Sequence, residues 1–187
     1  MINQWAIDGT ILNFKNQLYF IWSGCDKDIH FKQEIFIAKM KNPFLISGEK
    51  VLLSSPEYSW EKQGGDGKNF PFVNEGPAVL YINEKIYLFF SASGCWCKDY
   101  CLGLLELIGD NPLCKSSWKK SDRSIFRSND EIIGPGHCTF TIKNNNDVLE
   151  TYMVFHSFND EKDLDLHNVS ARYIKVSLVN NKLVLYN

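Results

Sequence analysis

The sequence predicts an all-β chain, and three observations carry that expectation. Short runs of alternating apolar and polar residues are separated by Asn, Gly and Pro turn signals, and helical periodicity is almost absent. One construction, an ionisable residue beside a glycine followed by a hairpin with tyrosine in its second strand, occurs three times. The tyrosines of the three copies, Tyr19, Tyr87 and Tyr152, are spaced by 68 and 65 residues. Units of that length, each reading as four antiparallel strands, are expected to repeat as blades of a β-propeller.

In the first unit, Asp8-Gly9-Thr10 leads into a hairpin over residues 11–24 that turns at Lys15-Asn16. A polar loop follows over residues 26–30. Residues 33–40 read as a third strand, Asn42-Pro43 as a turn and residues 50–54 as a short fourth strand. Residues 55–74, with Trp60 and Gly64-Gly65-Asp66-Gly67, form the longest irregular stretch and read as a wall or lid over the axis.

The second unit opens on Asn74-Glu75-Gly76-Pro77. Gly76 lets the backbone approach a neighbour closely, and Pro77 fixes φ and gives up a donor, so a strand is expected to begin there. Its later strands fall at residues 100–107 and 115–119. The third unit opens on Gly134-Pro135-Gly136-His137 and continues with strands at residues 139–143, 151–157, 170–178 and 182–186. The blades are thus expected over about residues 4–55, 74–119 and 135–187, as one incomplete domain covering 1–187 with no internal linker.

Asp8, Glu75 and His137 lie 11, 12 and 15 residues ahead of their tyrosines, at nearly equivalent places at the entrance to each first strand. If the units are arranged radially, the three side chains face one axis and make a site. Taken singly, each has a plainer reading. Asp8 suits a turn residue bonding to Thr10, and Glu75 a solvated carboxylate. A structural His137 bridging blades weighs nearly as much as one that contacts an ion.

Composition excludes several classes. The 187 residues are 44% hydrophobic and 14% aromatic with a formal charge of −2, which suits one sizeable core and gives no basic surface for nucleic acid or an anionic membrane. No apolar run approaches the roughly 18 residues of a membrane span. The start, Met1-Ile2-Asn3-Gln4-Trp5, carries no secretory signal pattern, so localisation is left open. Cys95-Trp96-Cys97 with Cys101 lacks the paired spacing of a zinc knuckle and reads as thiols packed in β structure.

Taken in order, the motifs resemble a known family. Trp5-Ala6-Ile7-Asp8-Gly9-Thr10, residues 33–40 with Asn42-Pro43, Val73-Asn74-Glu75-Gly76-Pro77-Ala78-Val79, Ser91-Ala92-Ser93-Gly94, Tyr100-Cys101-Leu102-Gly103 and Gly134-Pro135-Gly136-His137 are together similar to glycoside hydrolase family 43, in its α-L-arabinofuranosidase/β-xylosidase-like branch. The resemblance implies a five-bladed propeller of which this chain carries the C-terminal three blades. It also implies hydrolysis of arabinan- or arabinoxylan-type plant polysaccharides with inversion. Glu75 then matches the general acid, and Asp8 the aspartate that orients it and tunes its pKa. His137 matches an axial histidine that reaches a central calcium ion through water, although no cofactor is required for the chemistry.

Arg172 is similar in position to a substrate-contacting arginine, its plainer reading being a surface ion pair. Trp60 and Trp96 are candidates for stacking on pentose rings, although most propeller aromatics are core. The base aspartate of the family belongs to a blade that would precede residue 1, so the chain alone is expected to be inactive or nearly so, and its open blade edges to favour self-association. The alternative is a non-catalytic, sugar-binding propeller derived from such an enzyme.

Overall fold

A computed structural model describes residues 4–25 and 31–186. The polar loop expected over residues 26–30 lies outside the described residues. Twelve strands run through the described residues: β1 (Ala6–Phe14), β2 (Gln17–Gly24), β3 (Lys32–Asn42), β4 (Leu45–Ser54), β5 (Phe72–Ile82), β6 (Lys85–Ala92), β7 (Cys101–Leu107), β8 (Trp118–Lys120), β9 (Ile133–Asn145), β10 (Val148–Phe158), β11 (Val169–Val179) and β12 (Lys182–Tyr186). The all-β expectation is met: among the described residues, helical geometry is confined to single 3-10 turns at Ser59–Glu61 and Lys115–Ser117.

Each strand pairs antiparallel with the next within β1–β4, β5–β8 and β9–β12. A short parallel contact, Lys32 with Phe72 and Gln33 with Val73, joins β3 to β5. The hairpin turns use Lys15-Asn16, Asn146-Asp147 and Asn180-Asn181 with both residues at positive φ, the geometry that matches the twist of the flanking strands.

Period-2 alternation sends the two faces of the middle group to different cores. On β6, Leu88, Phe90 and Ala92 pack with Leu12, Ile21, Ile35 and Ile37 of the first group. Tyr87 and Phe89, which alternate with them along the strand, pack with Met153, Phe155, Ile174 and Val176 of the third. A strand covered on both sides must be apolar at nearly every position, which is why Tyr87-Leu88-Phe89-Phe90 reads as a continuous run. The outer face of the first group carries a smaller cluster of Trp22, Phe36 and Ala38, with the Lys50 ammonium 4.2 Å from the Phe36 ring centroid.

The first strands differ from expectation in one instructive way. β1, β5 and β9 begin before their Asp-Gly, Gly-Pro and Gly-His pairs, so Asp8, Glu75 and His137 lie inside strands rather than at their entrances. Those pairs mark β-bulges, which look like turn punctuation in sequence but interrupt a ladder without ending it. β4 likewise starts at Leu45, with Gly48 at φ 79°, and residues 115–117 form a turn ahead of a shorter β8.

Candidate active site

The same bulge is built three times. In β1, Ile7 pairs with Ser23 and Thr10 with Ile21, so Asp8 and Gly9 together oppose Trp22. In β5, Glu75 pairs with Ser91 and Ala78 with Phe89, so Gly76 and Pro77 oppose Phe90. In β9, Gly136 pairs with His156 and Thr139 with Val154, so His137 and Cys138 oppose Phe155. The first bulge residue is left-handed each time, at φ 56° for Asp8, 53° for Gly76 and 52° for His137. Glycine takes that conformation freely, and aspartate and histidine are among the side chains that enter it most readily.

By backbone geometry, therefore, Asp8 corresponds to Gly76 and His137, and Glu75 sits one residue earlier. The bulges are tied together. The Gly76 N–H donates to Asp8 Oδ2 at 3.0 Å, and the His137 N–H donates to Ser91 Oγ at 2.7 Å. His137 Nε2 lies 3.7 Å from Asp8 Oδ1, and a side chain at position 76 would meet the His137 ring at 3.2 Å. The structure thus brings Asp8, Glu75 and His137 together.

Glu75 is only 9% exposed. Burial pushes its pKa up, and the Asp8 carboxylate adds to that rise. The hydroxyl of Tyr100, which donates to Glu75 Oε1 at 2.7 Å, works in the opposite direction, as do the His137 ring and the Gln33 amide. The net displacement is upward, so the carboxyl retains its proton to higher pH than a free glutamate. A buried carboxyl held by one oxygen, with a second carboxylate and an imidazole beside it, can donate a proton to an oxygen brought into the site.

That displacement has a measurable cost. Because the folded pKa lies above the unfolded value near 4.5, the unfolded state ionises first as pH rises. Stability is greatest below that value and declines as pH climbs towards the folded pKa. Glu75→Gln keeps an acceptor for Tyr100 and removes the ionisation. The variant is expected to melt above the parent near neutral pH, with the difference vanishing below pH 4.5, as thermal melts across pH would read.

Tyr100, Ser91, Gln33 and His156 are the site neighbours that sequence reasoning missed. Tyr100 is fully buried, and its ring stacks on His156 with centroids 5.7 Å apart; His156 in turn stacks on His137 at 6.2 Å. The cross-strand pairings Glu75–Ser91 and Gly136–His156 were the available signal, but reading them needs the bulge register.

The other candidates sit as follows. Arg172 donates through Nε to Ser157 Oγ at 2.6 Å and borders an open groove of about 320 Å³ with Tyr152 and Tyr173. The indole N–H of Trp60 donates to the Asp122 carbonyl, and its ring packs 6.4 Å from Phe90. Trp96 donates to the Gly64 carbonyl and lies 5.6 Å from Phe70, closing residues 94–97 onto the 55–74 loop. Among the described residues, no group of three or more His, Cys, Asp or Glu side chains is arranged to hold a metal ion.

Comparison with known proteins shows the family. The sequence model of glycosyl hydrolases family 43 matches residues 1–174. The chain belongs to glycosyl hydrolases family 43. Among curated relatives it is 37% identical over 155 residues to "Alpha-L-arabinofuranosidase 43" of Humicola insolens, covering 81% of this chain and 30% of the relative. It is 32% identical to "Extracellular exo-alpha-(1->5)-L-arabinofuranosidase" of Streptomyces chartreusis, covering 81% of this chain and 44% of the relative. A crystal structure of an alpha-L-arabinofuranosidase from Lactobacillus brevis superposes with TM-score 0.83 at 31% identity, over 95% of this chain and 54% of that one. A thermostable family-43 glycoside hydrolase, 22% identical with TM-score 0.79, shares the fold. The chain thus spans less than half the length of these two curated relatives and about half of the Lactobacillus structure.

Proposed function

We propose that this chain provides the proton-donating half of a glycosidase site that opens O-glycosidic bonds of arabinose-containing polysaccharides with inversion. One observation carries the proposal: Glu75 is buried, its pKa is raised, and it stands beside Asp8 on two successive repeats of one bulge. In this reading Glu75 protonates the leaving oxygen. Asp8, fixed by the Gly76 amide, orients Glu75 and helps to keep it protonated. The arabinofuranosidase names of the relatives support a pentosyl substrate.

Inversion also needs a carboxylate on the opposite face of the sugar, roughly 6.5–9.5 Å from the acid, to activate water. The proposal assigns that role to a residue outside this chain, in a further blade of a five-bladed propeller to which the three four-stranded groups would belong. The chain alone is then expected to turn over little, and its uncovered strand edges to favour self-association. Central calcium, contacted through water by His137, belongs to the same reading. Calcium takes 6–8 oxygen ligands, and among the described residues no group of three or more His, Cys, Asp or Glu side chains is arranged to hold an ion.

An external nucleophile tests the acid independently of the base. Azide can attack the anomeric carbon from the open face, so an arabinofuranoside with a poor phenolic leaving group is expected to react slowly with the chain when azide is present. Glu75→Gln should lower that rate by about 10²–10⁴-fold, the usual worth of a positioned acid. Sugar binding without any azide-dependent, Glu75-dependent turnover would favour the non-catalytic alternative.

A further inference from the structure

We infer that Tyr100 is a positioning residue for the proton donor, clamping Glu75 Oε1 so that the carboxyl is presented in one orientation. The inference rests on the reading of Glu75 as general acid and assigns the group that aims it. The phenol is fully buried, and burial pushes its pKa well above the ordinary value, so it serves Glu75 as a neutral donor rather than as a proton source. Its hydroxyl donates to Oε1 at 2.7 Å and itself exchanges a hydrogen bond with the Ser91 hydroxyl. Ser91 in turn accepts the N–H of His137 at 2.7 Å, so one chain of hydrogen bonds runs from the third bulge through β6 to the acid.

The ring has no freedom to leave. One face lies on His156, stacked within 12° of parallel, and the ring is packed so closely on Gly136 that a β-carbon there would overlap it. Tyr100 stands just before β7, while Glu75 is on β5, so the clamp reaches across β6. A carboxyl on a bulge would otherwise rotate about its side-chain torsions. Here the hydroxyl selects one rotamer and leaves the proton to be carried where a leaving oxygen can reach it.

A clamp of this kind is distinguishable from mere packing. Tyr100→Phe keeps the ring and its stack but removes the donor, which favours the ionised carboxylate. The Glu75 titration midpoint is therefore expected to rise, read by NMR on the chain with ¹³C-labelled glutamate and assigned by its loss in Glu75→Gln. The alkaline limb of azide-supported turnover should move up with it. Meanwhile kcat should fall by about ten- to a hundred-fold with KM nearly unchanged, the size of effect that loss of alignment produces.

Ser91→Ala, which weakens the donor without touching the ring, should raise the midpoint in the same direction by less. It supplies the measurement if the phenylalanine variant does not fold. An unmoved midpoint in folded Tyr100→Phe or Ser91→Ala overturns the inference. If Glu75→Gln leaves turnover intact, the general-acid reading fails instead. If that variant abolishes turnover while Tyr100→Phe moves neither midpoint nor limb, only the clamp fails.

Discussion

Replacing Lys120 with methionine is expected to cost the fold about 3–5 kcal/mol, the usual consequence of leaving a buried charge without its partner. Lys120 Nζ lies 2.6 Å from Glu61 Oε1, with the glutamate side chain fully buried and the lysine 13% exposed. Glu61 is a junction. Its Oε2 accepts the backbone N–H groups of Glu57 and Tyr58, and its Oε1 accepts the Asn74 amide at 3.1 Å. The Asn74 Oδ1 in turn accepts the Ser54 hydroxyl.

The ion pair thus pins the long loop after β4 to β8, and the hydrogen bond from Asn74 ties the same carboxylate to the residue immediately before Glu75. The double variant Lys120→Met/Glu61→Gln should recover much of the loss, because no uncompensated charge then remains. Urea unfolding of the two single variants and the double variant forms the cycle. Near-additive losses would mean that the pair does not act as one unit.

The second large effect is expected at Gly136. A β-carbon there falls within the Tyr100 ring, and the ring is held in place by its stack on His156. The atoms it would meet belong to a rigid, fully buried ring rather than to the free end of a flexible side chain. Gly136→Ala should therefore cost about 3 kcal/mol, the upper part of the range for overpacking. It should also move Tyr100 off Glu75. Combined with Tyr100→Ala, the alanine at 136 should cost far less than it does alone, since the obstructing ring is gone. Denaturant melts of the four proteins read that coupling directly.

Much of the architecture was legible in the sequence because sheet burial imposes a period that can be counted. The apolar runs of β2 and β10, the Asn turns and the threefold recurrence of the tyrosine hairpins sufficed for the order of the strands. Less legible was the register at the bulges. Counting 11 residues back from Tyr19 and Tyr87 lands on Asp8 and Gly76, the pair that the left-handed backbone also matches, so Glu75 is one residue out of step. The same count from Tyr152 lands on Thr141, four residues past His137. One extra residue on one strand shifts every face beyond it, and glycine beside proline reads equally well as a strand start.

The neighbours of Glu75 were hidden for a different reason. Tyr100 and His156 come from strand ends far away in sequence, where an aromatic residue looks like any other core residue until the sheets are assembled. Trp60 poses the converse problem. An indole beside a Gly-rich loop suggests an exposed platform, yet here its N–H is committed to the Asp122 carbonyl and its ring to the first core.

The recurrence of one left-handed kink on three successive sheets separates scaffold from chemistry. The same socket holds a carboxylate in the first sheet, nothing beyond a backbone in the second and an imidazole in the third, while the surrounding ladders stay alike. A single codon at each socket can therefore reset the local charge without any hydrogen bond of the ladder being rewritten. Diversification of such a molecule would need only to edit these three positions, with the glycine socket as the vacant berth into which a new functional group could be installed once His137 is trimmed to make room.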